Sequence, residues 1–336
     1  MGEPNLEPDE QAALLALDAL EADEQADAEL RHGAFPADLA AAAAALADAT
    51  ELPPPPDLRE RSLAEALRRR PPGRPANPPA PCSPREAYER TVEDFAALLG
   101  DLDADDWDRP AHDDHGSVKD LVAHLVGVER LSLGWLDPVH PSSEGVAVDH
   151  LTATRPAIDE LHDADPSIVA ARWERAAWAV AEVARRGDPA RPVHFHDLVG
   201  DVDSLLVMRT FELWAHGMDI ALATDRPLLT LDDERMAMMS GRLMAAMPVA
   251  LAFRGTAVPD ARVRFVLTGP AGGTYDVPLG SAGVDAPFAL TLVTDAVAIC
   301  RVAARRLPAA ALPFAADGDD ALAGAVLAAV DAFARD

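Results

Sequence analysis

A glutamate and a histidine four residues apart form the sequence feature that most clearly suggests a chemical function. Glu212 and His216 lie in the stretch Arg209-Thr-Phe-Glu-Leu-Trp-Ala-His-Gly-Met-Asp219, whose spacing of apolar residues predicts a helix. Side chains four apart share one helix face, so the carboxylate and the imidazole can bind one metal ion. A solvated or mutually hydrogen-bonded pair is the alternative. The surrounding apolar residues favour burial, and a buried carboxylate needs a partner.

A second histidine occurs upstream in a segment that also predicts a helix. Ser117 is a suitable N-cap, and apolar residues follow it at i, i+4 and i+7. His124 falls among these positions, where a histidine that only packs in the core is the alternative interpretation. If the two helices face each other in a bundle, His124, Glu212 and His216 give a His2Glu set, which suits zinc with one open coordination position.

Three pieces of the chain, taken together, resemble the mycothiol-dependent maleylpyruvate isomerase family. They are Asp120-Leu-Val-Ala-His124-Leu, the spacing Arg209-x-x-Glu212-x-x-x-His216-Gly-x-Asp219, and a C-terminal layout of strands and helices. The resemblance covers roughly residues 84–336. It implies a DinB-like four-helix bundle in which His124, Glu212 and His216 are the zinc ligands, and it implies mycothiol as the thiol cofactor.

The resemblance implies an enzyme, either an isomerase or an S-transferase, that acts on a small electrophilic substrate. Zinc deprotonates a coordinated thiol and brings the pKa of bound water to about 7, so the site predicts a nucleophile. In an isomerase the thiolate adds to a conjugated alkene, permits rotation about the new single bond, and leaves. In a transferase the thiolate stays attached. The ligand motif does not separate these reactions, and no catalytic residue beyond the metal centre is predicted.

Composition and the positions of prolines and glycines divide the chain into four predicted segments. Residues 1–70 read as a helical appendage rich in Ala, Leu, Asp and Glu, and residues 71–82 as a proline-rich linker. Residues 83–250 form the metal-binding bundle, and residues 251–336 form an α+β domain. The predicted fold class is therefore mainly α, with a small antiparallel sheet and its helices at the C-terminal end.

The N-terminal segment supports a function of a different class. It resembles the small anti-sigma-factor zinc domain, which implies a regulatory protein that binds a protein partner through these helices. Phe35 and Asp38 stand where that domain has cysteines, so a zinc site is not expected there. A carrier of an apolar ligand is a third alternative, because the C-terminal domain resembles a sterol-carrier layout.

The hydrophobic period predicts the element boundaries. Helices are expected at about 84–99, 118–135, 166–186, 202–222 and 231–247, strands at about 261–267, 274–279 and 288–293, and two final helices at about 294–306 and 321–333. Residues 101–116 and 138–150 are predicted loops.

Other histidines each have two interpretations. The run His112-Asp-Asp-His115 looks like a metal cluster, but adjacent residues in a loop favour solvated or capping roles. His194 and His196 form a His-x-His pair that binds a metal, lines the mouth of a pocket, or simply packs at the edge of a strand.

Two charged positions near the predicted site are also ambiguous. Asp219 follows His216 by one turn and can accept the second ring proton of a ligand histidine, or pair with a cation. Arg301 or Arg305 can bind a substrate carboxylate if their helix faces the bundle, and a solvated helix face is the alternative.

Charge and cysteine content exclude several classes of protein. The 336 residues carry a formal net charge of −28, which argues against nucleic acid and anionic membranes as partners. No charge-free apolar window of about twenty residues predicts a spanning helix. Cys82 and Cys300 are far apart and offer neither a disulfide framework nor a metal site. A cytoplasmic protein with small-molecule partners is expected.

Overall fold

The helices and strands predicted from the sequence occur in the predicted order, together with elements that the sequence did not predict. The computed structural model describes residues 80–137, 149–196, 198–255, 260–269, 271–283 and 285–332. Its α-helices are α1 (Pro84–Gly100), α2 (Val118–Trp135), α3 (His150–Leu161), α4 (Pro166–Arg186), α5 (Val202–Ala223), α6 (Asp233–Ala245), α7 (Met247–Phe253), α8 (Ala296–Ala303) and α9 (Asp320–Ala329). Its strands are β1 (Pro110–His112), β2 (Gly116–Ser117), β3 (Pro192–Phe195), β4 (Leu198–Asp201), β5 (Ala261–Thr268), β6 (Gly273–Leu279), β7 (Phe288–Asp295) and β8 (Phe314–Gly318).

Helices α1, α2, α4 and α5 pack together as the bundle. Each begins after a residue whose side chain accepts a backbone N–H of the first turn, namely Ser83, Ser117, Asp165 and Asp201. Their apolar faces meet in one core, in which the rings of Phe95 and Trp173 lie 4.6 Å apart. The structure thus confirms the mainly helical fold class, and the bundle helices lie within a residue or two of their predicted bounds.

Helix α3 was not predicted, and it packs closely against α2. Asp149 caps it by accepting the N–H groups of Leu151 and Thr152. The contact with α2 is tight, because a Cβ placed on Gly127 would lie 2.8 Å from the Cβ of Thr154. Pro156 inside the helix and the polar run before it hide this element from its sequence period.

Two short hairpins precede helices of the bundle, and the first of them lies in a segment that the sequence predicted as a loop. Residues 104–108 form a 3-10 helix, and β1 and β2 then pair antiparallel immediately before α2. Strands β3 and β4 pair antiparallel immediately before α5. Both hairpins lie at the N-terminal ends of helices that carry predicted metal ligands.

The C-terminal sheet has the strand order β6-β5-β7-β8 and is mixed, which corrects the antiparallel arrangement predicted for it. Strands β5 and β7 pair in parallel, because the chain leaves β6 and crosses to the other side of β5. The period of two fixes which residues face the core but not which strands become neighbours. Strand β8, which was not predicted, pairs antiparallel with β7. The α+β character of this part of the chain is confirmed.

Helices α6 and α7 share their hydrophobic core with the sheet rather than with the bundle alone. Met236, Met239, Met244 and Met247 are buried in that core. The domain boundary at residue 250 stays a prediction. Within the described ranges no single helix is long and apolar enough to cross a membrane, and only α6 and α7 together, bent by 53°, have that length and composition.

The predictions for residues 1–70, and for residues 71–79 of the predicted linker, lie outside the described residues. The anti-sigma-like interpretation of this segment and its expected protein partner therefore stay predictions.

The close approach of α2 and α3 generates a stability prediction. Gly127→Ala is expected to lower the free energy of unfolding by about 1–3 kcal/mol, because the added methyl group overlaps Thr154 and must push the helices apart. Gly324→Ala is the matched control, since its Cβ would meet nothing within 4 Å, and it should raise stability by about 0.5–1 kcal/mol. Urea unfolding measures both. Equal effects of the two substitutions would contradict the packing argument.

Candidate metal centre

His124 lies fully buried in the middle of α2, and its ring is oriented by a threonine of α3. Its Nδ1 is 2.9 Å from the hydroxyl oxygen of Thr154, and that hydroxyl donates to the backbone carbonyl of His150 at 2.7 Å. A hydroxyl has one proton to donate, so Nδ1 of His124 must be the donor in the other contact. This assigns the proton to Nδ1 and leaves the lone pair on Nε2, the nitrogen that faces Glu212.

Glu212 of α5 presents one carboxylate oxygen to this imidazole. Its Oε1 lies 3.7 Å from Nε2 of His124, which is too long for a hydrogen bond. Two ligands of one tetrahedral zinc ion, each about 2.0–2.1 Å from it, are separated by roughly 3.3 Å, so the observed spacing is close to that of a shared ion. Oε1 is buried and accepts no hydrogen bond from the described residues. A buried carboxylate oxygen in this position is suited to a cation.

The other oxygen of Glu212 is held by a buried arginine. Arg209 donates Nη1 to Oε2 of Glu212 and Nη2 to Oε1 of Glu129, the latter at 2.7 Å. The Tyr88 hydroxyl completes the network by donating to Oε2 of Glu129 at 2.9 Å. Two carboxylates thus share one guanidinium, which leaves one net negative charge to meet a metal ion.

This network determines the protonation states around Glu212. Burial by itself raises the pKa of Glu212, but the charge of Arg209, together with the neighbouring His124 and His150, holds the pKa of that carboxyl well below its usual range. Burial and the charge of Glu129 raise the pKa of Tyr88 well above its usual range, so the phenol remains a proton donor. Glu212 is therefore an ionised carboxylate whose orientation is fixed by Arg209.

His216 is oriented in the same manner from the opposite end of the cluster. Its Nδ1 lies 3.0 Å from Oδ2 of Asp219, the position in which this aspartate can accept the second ring proton. Arg306, which follows α8, donates to both oxygens of Asp219, at 2.7 and 2.5 Å. Burial raises the pKa of Asp219, but His216 and Arg306 together hold it below its usual value. A cation from the C-terminal part of the chain thereby supports a histidine of the bundle.

The three predicted ligands lie in one cluster but divide between two sets of donor atoms. One set is His124, His150 and Glu212, and the other is His115, His124 and His216; within each, the ligand atoms lie within 4.8 Å of one another. His124 belongs to both. Among the described residues no set contains Glu212 together with His216, so the predicted His124, Glu212 and His216 triad stays a prediction.

His115 and His150 are candidate donors that the sequence analysis did not select. His115 lies in the β1–β2 hairpin, is buried, and stacks on His124 with ring centroids 3.8 Å apart. The favoured solvated or capping role therefore does not describe its position. His150 is the first residue of α3 and lies 4.5 Å from the ring of His196, which is also buried, whereas His194 is exposed. The signal for His150 was the Asp149 cap, which brings its neighbour to the start of a helix.

A cavity of about 350 Å³ opens onto the donor cluster. Glu212, His150, His196 and Arg306 line it together with apolar residues of α5, α6, α7 and the β3–β4 hairpin. A second cavity of about 450 Å³ is lined by the β1–β2 hairpin and by Arg305 and Arg306. The predicted carboxylate-binding role of Arg301 or Arg305 stays a prediction, while Arg306, which was not predicted, lines both cavities.

The sequence of the bundle matches a known protein family. Residues 88–221 match the mycothiol maleylpyruvate isomerase N-terminal domain. The predicted resemblance to that family is confirmed over these residues, which include His115, His124, His150, Glu212 and His216. Comparison with curated protein sequences gives no significant match.

Two solved structures are similar to the chain. One is a mycothiol-dependent maleylpyruvate isomerase, with a TM-score of 0.45 and 12% sequence identity, and the other is a histidine-to-alanine mutant of a mycothiol-dependent maleylpyruvate isomerase, with a TM-score of 0.46 and 11% identity. Each alignment covers 69% of this chain and 91% of the other.

Removal of the buried guanidinium should destabilise the protein. Arg209→Met is expected to lower the free energy of unfolding by about 3–5 kcal/mol at pH 7, because two buried carboxylates lose their counter-charge. The control is Arg172→Met, which removes an exposed ion pair with Glu160 and should cost about 0–1 kcal/mol. Chemical unfolding of both variants measures the difference.

The pH dependence of the Arg209→Met effect has a definite sign. The lowered pKa of Glu212 contributes stability above the unfolded value of about 4.3, and this stability is lost as the pH falls through the folded value. In the variant this contribution is missing and the glutamates can protonate. The gap between wild type and variant should therefore narrow as the pH falls from 7 towards 4. A gap that widens would contradict the proposed charge balance.

Proposed function

We propose that the protein is a zinc-dependent enzyme that uses mycothiol as a thiol cofactor and acts on a small electrophilic substrate, as an isomerase or an S-transferase. Zinc is assigned to His124, Glu212 and His216, with His115 and His150 as the neighbouring donors. The electrophile is assigned to the cavity beside Glu212. The small-molecule thiol and the substrate are the partners that this function requires.

One observation carries the metal assignment. Nε2 of His124 and Oε1 of Glu212 come from different helices, lie 3.7 Å apart, and are each fixed from behind by a buried partner, Thr154 or Arg209. Such supporting hydrogen bonds are typical of metal ligands, whose orientation and basicity they set. A merely structural histidine and glutamate at this distance would gain more from a direct hydrogen bond. The family match over the same residues supports the thiol cofactor.

The residues of the chain prepare the site before any substrate is bound. A divalent metal, when bound, lowers the pKa of a coordinated thiol and so supplies a thiolate nucleophile at neutral pH. Thr154 and Asp219 keep the ring protons of His124 and His216 on Nδ1, and Arg209 keeps Glu212 ionised. Two neutral imidazoles and one carboxylate leave net positive charge on a divalent ion, which favours an anionic ligand at the open position.

Zinc binding tests the assigned residues. His124→Ala should reduce zinc affinity by more than the roughly 10–100-fold that loss of a supporting partner costs, because His124 belongs to both donor sets. Glu212→Gln and His216→Ala should each weaken binding, whereas His115→Ala and His150→Ala should change it by less than about tenfold. Competition against a chromophoric chelator measures these affinities.

The control for the zinc titration is His194→Ala, since His194 is exposed and lies outside both donor sets. Cys82→Ser and Cys300→Ser should also bind zinc as wild type does. Wild-type affinity in the His124→Ala protein would refute the metal site. A greater loss in His115→Ala than in Glu212→Gln would move the assignment to the other set.

Product analysis tests the reaction. The zinc-loaded protein is incubated with mycothiol and a panel of electrophiles that includes maleylpyruvate, and the products are analysed by mass spectrometry and NMR. Thiol-dependent turnover is expected, with a product of unchanged mass for an isomerase or a thioether adduct for a transferase. Turnover that is undiminished without thiol, or no turnover of any electrophile, would contradict the proposal.

A further inference from the structure

The residues that line the apolar cavity beside Glu212 indicate the class of electrophile. We infer that the electrophile is an uncharged molecule with an apolar hydrocarbon part, and that it occupies the 350 Å³ cavity in preference to a dicarboxylate. This inference rests on the proposed function, because it names the substrate of that site.

The apolar walls come from four different elements. Helix α5 contributes Val207, Met208 and Phe211, α6 contributes Leu243, α7 contributes Val249, and strand β4 contributes Val199. Pockets that bind small molecules are lined mainly by apolar side chains, with a few polar groups that fix orientation. Here the polar group nearest the metal site is Glu212, so an electrophilic carbon has its place at that end and a hydrocarbon part lies along the walls.

The two arginines of the cavity lining already have carboxylate partners. Arg306 donates to both oxygens of Asp219, at 2.7 and 2.5 Å, and Asp219 in turn holds His216. Arg242 lies 3.5 Å from Asp203. A carboxylate substrate would have to compete with these internal partners, and displacement of Asp219 would release the histidine that it orients.

Burial of a dianion in such a cavity is unfavourable for a second reason. The ligand carboxylates would leave water for walls that are mostly apolar, and an ionised carboxylate without a cationic partner is costly to desolvate. A neutral ligand meets none of these costs and gains from contact with the walls.

The hydrophilic thiol has a separate place to bind. The 450 Å³ cavity is lined by His112, Asp113, Asp114 and Arg305, which are polar, and it shares Arg306 with the apolar cavity. The ring of His112 lies 5.7 Å from that of His216, so this cavity reaches the other side of the donor cluster. Assignment of the thiol to the polar cavity leaves the apolar one to the electrophile.

The test compares electrophiles that share one reactive group. A neutral aryl enone, its monocarboxylate and its dicarboxylate are assayed with mycothiol and the zinc-loaded full chain, and each is also titrated calorimetrically without thiol. The expected kcat/KM and binding affinity are at least tenfold higher for the neutral enone than for the dicarboxylate.

Paired substitutions locate the effect in the cavity. Val249→Glu should lower kcat/KM and affinity for the neutral enone at least tenfold. The control is Ile168→Glu, because Ile168 lies outside the cavity lining and is 48% exposed, close to the 46% of Val249. This control should leave both quantities within about twofold of wild type. Val199→Glu and Leu222→Glu form a second pair, with exposures of 68% and 66%.

The outcomes separate this inference from the proposed function. Thiol-dependent turnover that is equal or faster with the dicarboxylate overturns the inference and leaves the proposed function in place. Absence of any turnover overturns the proposed function; the calorimetric arm then decides the ligand class, since tight neutral binding lost in Val249→Glu supports it and tighter dicarboxylate binding overturns it.

Discussion

A buried guanidinium shared by two carboxylates is the constraint on which the candidate site depends. Arg209 cannot lose its charge, so the groups around it must supply negative charge inside the bundle. Glu129, which accepts a hydrogen bond from Tyr88, binds Arg209 from one side, and Glu212 has one oxygen bound to Arg209 and the other directed at His124. The orientation of Glu212, a proposed metal ligand, is thus determined by a network of residues outside the proposed ligand set.

The imidazoles of His124 and His216 are also oriented by buried partners, which differ from those of Glu212. Thr154 and Asp219 each engage Nδ1, and both histidines therefore present Nε2 to the common space. Because the supporting residues come from α3 and α5, and Arg306 from the segment after α8, the geometry of the cluster combines contributions from distant parts of the chain. A cluster assembled in this way changes whenever one of those elements moves.

The sequence predicted those features that arise within one helix. The four-residue spacing of Glu212 and His216, the Ser117 cap, and the apolar stripes of the bundle are local, and the helices formed close to their predicted bounds. Features that depend on the meeting of distant elements were not predictable in this way. Adjacent residues gave no reason to bury His115, and nothing local indicated that Arg306 would reach Asp219.

The sheet shows the same division between local and long-range information. The alternation of apolar and polar residues identified β5, β6 and β7 and the residues that face the core. The parallel pairing of β5 and β7 depends on the path of the connection between β6 and β7, and the sequence gives only the length of that connection. Strand β8 was not predicted because it is short and lacks an alternation of apolar and polar residues. Helix α3 escaped because its stability comes from contact with α2 rather than from its own sequence period.

The ion pair between Arg306 and Asp219 limits which parts of the chain can be exchanged between related proteins. Because an arginine at the end of the C-terminal α8 segment anchors the aspartate behind His216, the bundle and the sheet are not interchangeable modules. A bundle joined to a different C-terminal domain would keep all its histidines, but Asp219 behind His216 would lose its contact with Arg306. Chimeras between relatives must therefore carry the arginine and the aspartate as a matched pair, whichever half supplies each.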